Sequence, residues 1–482
     1  MLFSSKSDAA RKLKARNPRT GKLDYTFTAP GAEALGEIVS SVRAAQPAWR
    51  DSGVQARAEV LGAWKAELEA RSDALIAALA ADTGRNAIAQ QEAFGFLANI
   101  DRWRAEAPAL LQTETRPSKF HADIELQTRT APYPVVGVVS PWNFPLILSF
   151  IDAVPALLAG CGAVIKPSEV TPRFAEPLME AVNAVPELAN VLHVVPGDGE
   201  TGAALIPLTD VVAFTGSVVT GRKVGEAAAK AFIPAFLELG GKDPSLVFHG
   251  ADLDRATTAL LRASVIATGQ ACQSIERIYV ERPSFDAFVT ALTEKAKATP
   301  LSHPDPNAGI VGPLIFEKQA EIIAAHLKDA VDKGAVIHCG GEVQTLGGGK
   351  WVAPTVVTNV SHDMRLLTEE TFGPIMPVMP FDTADEAVAL ANDTAYGLSA
   401  SVFAATDEAA IAIAERIDAG GISINDAGLT TMVHEIEKSG FKASGLGPSR
   451  MGPTGLTRFL RRKALYVNRG DVAPIAMATE GQ

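Results

Sequence analysis

Residues 236–244 read FLELGGKDP, and residues 268–277 read TGQACQSIER. The first stretch is a short apolar run that ends in a carboxylate, Glu238, followed by a glycine pair. From 134 to 240, ahead of that point, short β-branched runs alternate with helical stretches, the pattern of a parallel sheet with covering helices. The expected strands are 135–139, 163–165, 191–195, 211–214 and 234–237. A second α/β stretch begins beyond it, with a strand at 245–248 and a helix over 252–268. Residues 236–244 therefore mark where one α/β unit hands over to another. The second stretch carries a thiol, Cys272, among glycine and amide neighbours. A thiolate is a soft nucleophile toward carbonyl carbon, and a nearby carboxylate can deprotonate the water that releases the product. Cys272 and Glu238 are the candidate nucleophile and base.

Moving outward, 17–21 (NPRTG) reads as a turn among short extended pieces. Helical spacing of apolar residues predicts helices over 31–50, 54–79 (Val60, Leu61, Trp64, Leu68) and 86–111. The polar run at 113–120 (TETRPSKF) ends the last of these, and Ile124, Leu126 and Thr128 fall on one face of an extended segment outside the βα pattern. Residues 463–467 (KALYV) form a second extended piece, suited to pairing with another subunit's sheet edge.

The chain has 482 residues, 47% hydrophobic and 21% charged, enough for a sizeable core and more than one domain. A net charge of −11 excludes an overall basic field for nucleic acid or an anionic membrane. The N-terminal positive charges (Lys6, Arg11, Lys12, Lys14) are followed by no apolar run, against a secretory signal. No apolar run approaches the roughly 20 residues that span a bilayer. Three cysteines without CxxC spacing indicate neither a disulfide framework nor a zinc site, and a reducing, cytoplasmic setting is expected. Cys161 and Cys339 lack an activator and read as small apolar residues.

Several loops carry ligand chemistry. The strand at 135–139 runs into Ser140-Pro141-Trp142-Asn143-Phe144-Pro145, where ligands of α/β sheets bind. The Asn143 amide and the Cys272 backbone N–H are suited to stabilising an oxyanion; on turn chemistry alone Asn143 reads first as a cap, and Glu238 can equally be a surface strand-end carboxylate. Lys166-Pro167-Ser168-Glu169 follows the second strand and offers a lysine and a carboxylate to ribose hydroxyls. A carboxylate there accepts a 2′-hydroxyl but repels a 2′-phosphate, so NAD is preferred over NADP. Two glycine patterns compete for the pyrophosphate. Residues 197–202 (GDGETG) match GxGxxG, a weak signal with unfavourable acidic residues, and receive only a loop role near the adenine, with Gly199 as a contact. Gly216, Ser217 and Gly221 open a helix directly after a strand and take the pyrophosphate.

The E-L-G-G-K and G-Q-x-C segments, together with PWNFP, resemble the NAD(P)-dependent aldehyde dehydrogenase superfamily, and the match runs from Asn17 to the C-terminal region through 369–374 (EETFGP), 392–398 (NDTAYGL) and 421–425 (GISIN). The resemblance implies an α/β fold with a Rossmann-type cofactor domain (1–111 and 134–239), an α/β catalytic domain (240–452) and a β oligomerisation element (112–133 and 453–482), assembled as a homodimer or homotetramer. It implies Cys272, Glu238 and Asn143 as catalytic residues. It also implies cofactor contacts from Ser140, Trp142, Lys166, Ser168, Glu169 and Leu239, with Glu370 on the nicotinamide ribose and Phe372 beside the nicotinamide. The expected reaction takes an aldehyde, NAD and water to a carboxylate through a thioester, without a metal. A CoA-acylating dehydrogenase, a cofactor-free thiol esterase and a non-catalytic protein on the same fold are the alternatives. The chain departs from the family at 432–437 (MVHEIE), where many members have a P-F-G-G-type turn. Substrate-loop roles do not transfer there, and His434 reads first as a solvent-facing loop residue, with a substrate contact as the alternative.

Overall fold

Strand Val135–Val139 is VVGVV, buried throughout, as expected of a strand covered on both faces. It lies inside a six-stranded sheet in the order 445–446, 235–238, 211–215, 135–139, 162–166, 192–194. All neighbours are parallel except Gly445–Leu446, which runs antiparallel beside Ala235–Glu238. The chain leaves Val135–Val139 for a neighbour on one side and later returns on the other, which creates a crevice at the carboxyl ends of the strands. Helix Pro145–Ala159 follows at once; Pro145 takes the first-turn position, where a missing N–H costs nothing, and Gly160 (φ 99°) ends it. Trp64 of helix Gly53–Ala70 meets Phe96 of Asn86–Leu110 and Phe150 of Pro145–Ala159 at 5.5 and 5.6 Å between ring centroids, and these aromatics centre the largest core cluster.

The computed structural model describes residues 9–478. Residues 1–8, with Lys6, and 479–482, the ends of two of the expected ranges, lie outside the described residues. A second sheet of seven strands has the order 336–339, 355–358, 375–381, 275–281, 243–247, 399–403, 421–424, parallel but for Val336–Cys339. Residues 240–242, Cys272 and 370–374 lie just ahead of three of its parallel strands. They come from the amino ends of this sheet, whereas 140–145 and 215–217 come from the carboxyl ends of the first.

A third sheet joins Glu114–Pro117, Ile124–Pro132 and Leu460–Asn468. Here the tail gains a partner that the expectation did not name: Leu460–Asn468 pairs antiparallel with Ile124–Pro132 of its own chain along nine residues, because the segment before it is anchored beside Tyr133 through the Phe459 carbonyl. The edges left open are Glu114–Pro117 and the far side of the tail strand. Two further expectations change. The helix predicted over 54–79 is two helices, Gly53–Ala70 and Ser72–Thr83, because Arg71 leaves helical backbone (φ −112°, ψ 14°). The supposed loop at 197–202 contains the start of helix Gly199–Leu205, capped by Asp198, whose carboxylate accepts from the Glu200 and Thr201 N–H groups. Among the described residues, no helix is long and apolar enough to cross a membrane.

Candidate active site

The nucleophile loop is built on a strained turn. Ala267, Thr268 and Gly269 all have positive φ (53°, 63° and 65°), a conformation that costs about 1 kcal/mol or more for each non-glycine residue. Buried Arg85 holds it there: one guanidinium nitrogen donates to the Ala267 carbonyl at 2.9 Å, and another donates to the Asn143 carbonyl. The Thr268 hydroxyl donates to the Gly312 carbonyl at 3.2 Å, and Gln270 accepts from the Ile315 N–H at 3.0 Å. A Cβ on Gly269 would stand 2.4 Å from the Gly373 carbonyl carbon, so only glycine lets this loop touch the loop carrying Phe372.

Cys272 follows that turn, half-buried. Burial pushes its thiol up to about 11, with the Lys438 and Arg450 cations opposing the shift and Glu370 and Asp243 adding to it. The Lys438 ammonium lies 3.4 Å from the Gln273 side-chain oxygen, one residue past the thiol. Asn143, also buried, donates its amide to the Gln270 carbonyl at 2.9 Å, which brings it against the nucleophile loop.

Cys272 and Asn143 open onto a cavity of 740 Å³ between the two sheets. The same cavity is lined by Ser140, Trp142, Lys166, Ser168 and Glu169 from the first two strand-end loops, and by Gly199, Gly216, Ser217 and Leu239. Glu370 and Phe372 complete the expected set from the catalytic side. Trp142 spans the two sides, with its ring 5.4 Å from Phe372, edge to face, and 6.0 Å from Phe316. Lys166 is buried, and its ammonium sits 3.6 Å from Glu169, a half-exposed carboxylate.

Two expected residues are placed differently. Gly221 is not on the cavity wall; it lies beneath it, where a Cβ would come within 2.4 Å of Leu239. Glu238 is also absent from the wall, although Leu239 and Gly240 line it. The reason is strand alternation. Leu237 and Leu239 join the cluster under helix Val218–Ala231, whereas Phe236 packs against Phe459 on the other face. Glu238 shares the Phe236 face.

The loop of Glu370 and Phe372 is held from beneath. Glu276 accepts from the Thr371 and Phe372 N–H groups at 2.8 and 2.7 Å, and its own carboxylate is paired with the fully buried Lys242 ammonium at 2.6 Å. Glu370 accepts from the Gly241 N–H at 3.1 Å; burial, with Glu276 nearby, raises its carboxyl to about 8. Phe372 has φ 54°, a third strained non-glycine residue at the site after Ala267 and Thr268.

Sequence reading missed Arg85, Lys242 with Glu276, Lys438, and the cavity-lining Lys223, Phe316 and Lys318. Lys242 and Glu276 stand inside the quoted stretches 236–244 and 268–277, but their pairing does not show there, and the others sit in no motif; only the three-dimensional approach of distant segments gives them a place. Glu92 was missed likewise: it accepts from the Leu146 and Ile147 N–H groups at 2.8 and 3.0 Å, anchoring the start of the helix after Asn143. His434 is half-buried rather than solvent-facing, because its carbonyl accepts from Arg102 at 3.1 Å and from the Gly452 N–H. Cys161 is buried, and Cys339 is half-buried with its sulfur toward the Pro354 carbonyl.

The sequence and fold have known counterparts. The chain is 34% identical over 474 residues to a Mycolicibacterium smegmatis protein provisionally named succinate-semialdehyde dehydrogenase (NADP(+)), a match covering 96% of this chain and 91% of that one. A solved structure from Anabaena variabilis, PutA, provisionally an aldehyde dehydrogenase, superimposes with a TM-score of 0.95 at 54% identity, covering 96% of this chain and 99% of that one. A Mycobacterium tuberculosis aldehyde dehydrogenase, solved in complex with NAD+, gives 0.88 at 33% identity, with 96% of each chain covered. Residues 4–465 match the model of the aldehyde dehydrogenase family. With a thiol, an amide and a long cleft brought together between two α/β units, and with that match over nearly its whole length, the chain belongs to the aldehyde dehydrogenase family, whose chemistry is aldehyde oxidation.

Proposed function

We propose that this enzyme oxidises an aldehyde to the carboxylic acid with NAD, using Cys272 as nucleophile, Asn143 as oxyanion donor and Glu238 as the base of deacylation. The observation that carries the reading is that Cys272, Asn143, Glu370 and Phe372 line the same cavity as Lys166, Ser168 and Glu169. The residues present fit a dinucleotide. Lys166 is buried with its ammonium beside Glu169, Gly199 has nothing within 4 Å of where a Cβ would stand, and Ser217 caps the 14-residue helix Val218–Ala231, whose N-terminus suits a phosphate. Lys166 and Glu169 would hold the adenosine ribose, with Ser168 beside them. Gly216 and Ser217 would hold the pyrophosphate, supported from below by Gly221 and flanked by Ser140, Trp142 and Leu239. Glu370 would hold the nicotinamide ribose, and Phe372 would pack on the ring. The nicotinamide, when bound, supplies the hydride acceptor.

The protein's part of the chemistry follows. The Cys272 sulfur adds to the aldehyde carbon, and the Asn143 amide and the Cys272 N–H stabilise the oxyanion. Loss of hydride leaves a thioester on Cys272. Glu238 removes a proton from water, which attacks the thioester carbon and expels the thiolate as the acid forms. A carboxylate in that place favours water over CoA as acceptor. Glu169 favours NAD over NADP, because a half-exposed carboxylate beside the 2′ position repels a phosphate. Relatives of both cofactor types exist: the M. smegmatis relative's name specifies NADP(+), and the M. tuberculosis neighbour was solved with NAD+.

The domain reading is a cofactor unit (1–111 and 134–239), a catalytic unit (240–452) and a β element (112–133 and 453–482). The β element has two open strand edges and exposed Tyr466, which favours a homo-oligomer. Three unpaired cysteines accord with a reducing cytoplasm. The test is NADH or NADPH formation, by absorbance, across aliphatic, aromatic and semialdehyde substrates. Turnover with NAD at higher kcat/KM than with NADP supports the reading; no cofactor-dependent turnover alongside ester hydrolysis would favour a thiol esterase.

A further inference from the structure

Beneath Glu238 lies a buried charge cluster that no motif contains. Asp152, on helix Pro145–Ala159, is 1% exposed; Arg450 and Arg458, on the segment after Gly445–Leu446, are each 7% exposed. Arg450 donates to Asp152 at 2.7 Å and to the Thr215 hydroxyl at 2.5 Å. Arg458 donates to the other Asp152 oxygen, and its guanidinium lies 5.1 Å from the Phe236 ring centroid and 5.0 Å from that of Phe459. Two cations thus face one anion. The Nε atoms of both arginines are buried without a hydrogen-bond partner. A buried excess cation is costly unless an anion balances it.

The strand register names that anion. Thr215 and Glu238 are register partners in parallel neighbouring strands, so their side chains stand side by side on one face. Phe236, under Arg458, is two residues before Glu238 on the same face. The residue that Arg450 bonds and the residue that Arg458 covers therefore flank Glu238 in the sheet, and with Glu238 counted the cluster holds two cations and two anions. The charges agree: burial works against the Arg450 guanidinium, but Asp152 first and Glu238 next hold it in the charged form, and the Cys272 thiol is a further, smaller partner. Burial pushes the Asp152 carboxyl up, and the two arginines together hold it below the usual range.

We propose that Arg450 is the positioning residue of the deacylation base: it anchors the Glu238 carboxylate, with Asp152 and Arg458 fixing the guanidinium in turn. The proposal rests on the reading of Glu238 as base. Arg450 itself touches no reacting atom. It acts by setting where the carboxylate stands when water attacks the thioester, a step in which the S–C bond breaks, a C–O bond forms and the water proton passes to Glu238.

The test uses the full chain with p-nitrophenyl acetate, which acylates a thiol without cofactor and separates a burst of p-nitrophenolate from the steady turnover that reports deacylation. Arg450→Gln should keep a stoichiometric burst at a rate within about threefold of wild type while deacylation falls by about 10- to 100-fold, the usual effect of misplacing a catalytic group. Arg450→Lys, which keeps the charge, should recover most of the loss. Adding Arg450→Gln to Glu238→Gln should cost no more than about twofold beyond Glu238→Gln alone, because the arginine acts through the missing carboxylate. Wild-type deacylation in Arg450→Gln while Glu238→Gln is slow overturns the proposal alone; wild-type turnover in Glu238→Gln overturns the base reading beneath it. Loss of burst and turnover together in both Arg450 variants would make the residue structural and also overturn it. Should Arg450→Gln not fold, thermal denaturation of Glu238→Gln decides: removing the balancing anion should lower its Tm by about 2 °C or more, and a Tm at or above wild type contradicts the charge balance.

Discussion

In the cofactor-free protein, Cys272 should be a slow thiol at neutral pH, and its pH dependence should show why. Burial lifts it to about 11, against about 8.5 for a free cysteine. At pH 8 that leaves about one thiolate in a thousand, compared with about a quarter for the free side chain, roughly a 250-fold deficit. A more basic thiolate is intrinsically more nucleophilic, by about tenfold for this difference at a Brønsted slope near 0.4–0.5. The net expectation is alkylation about 20-fold slower than free cysteine at pH 8, rising close to tenfold per pH unit up to about pH 10. The assay is iodoacetamide labelling followed by mass spectrometry of the peptide containing Cys272, with Cys272→Ala as the blank for Cys161 and Cys339. Lys438→Met should slow labelling further, since its ammonium is the strongest charge holding the thiol down. A plateau with a midpoint at or below about 9, or a Lys438→Met rate equal to wild type, would refute the reasoning.

Glu169→Ala should raise the ratio of kcat/KM for NADP over NAD by about fivefold to tenfold, the roughly 1 kcal/mol expected from removing a solvent-screened repulsion, and an unchanged ratio counts against the ribose assignment. Lys242→Met strips the cation from buried Glu276 and should cost about 3–5 kcal/mol of stability, with NAD affinity falling as the 370–372 loop loosens; Lys242→Met with Glu276→Gln should recover most of the stability, and a single variant as stable as wild type sinks the idea of a clamp. Light scattering of the intact chain should give two or four times the 50.6 kDa subunit mass, and removal of residues from Ala464 onward should lower that mass before it affects chemistry. A monodisperse, fully active monomer would contradict it.

Most of the expected cleft residues were legible because they lie beside the end of a strand, where residue type and position coincide; Lys223 and Lys318, which reach the same cleft from within helices, were not. Strand Val135–Val139 was read to the residue, since four valines about one glycine, between Pro134 and Ser140-Pro141, admit few other structures. The supports of the site were not legible. Arg85 reaches the carbonyls of Asn143 and Ala267, Lys242 reaches Glu276, and Asp152 meets arginines about three hundred positions away; no local period or spacing encodes such pairings. Glu238 was found by its motif, but the face it occupies follows from strand alternation combined with the packing of Phe236 and Leu239, which only the fold supplies. The tail strand was recognised as extended, and its partner was missed because pairing along Leu460–Asn468 is set by the turn at Phe459, not by the strand's own residues.

The proposed reaction turns on a thioester on Cys272 awaiting water delivered by Glu238. Mass spectrometry of acid-quenched Glu238→Gln, mixed with NAD and each aldehyde of the panel, tests it most directly. One equivalent of NADH per site is expected, with a matching mass gain on the Cys272 peptide equal to the aldehyde less a hydride and a proton. NADH formation at full steady turnover with no adduct on Cys272 would contradict it.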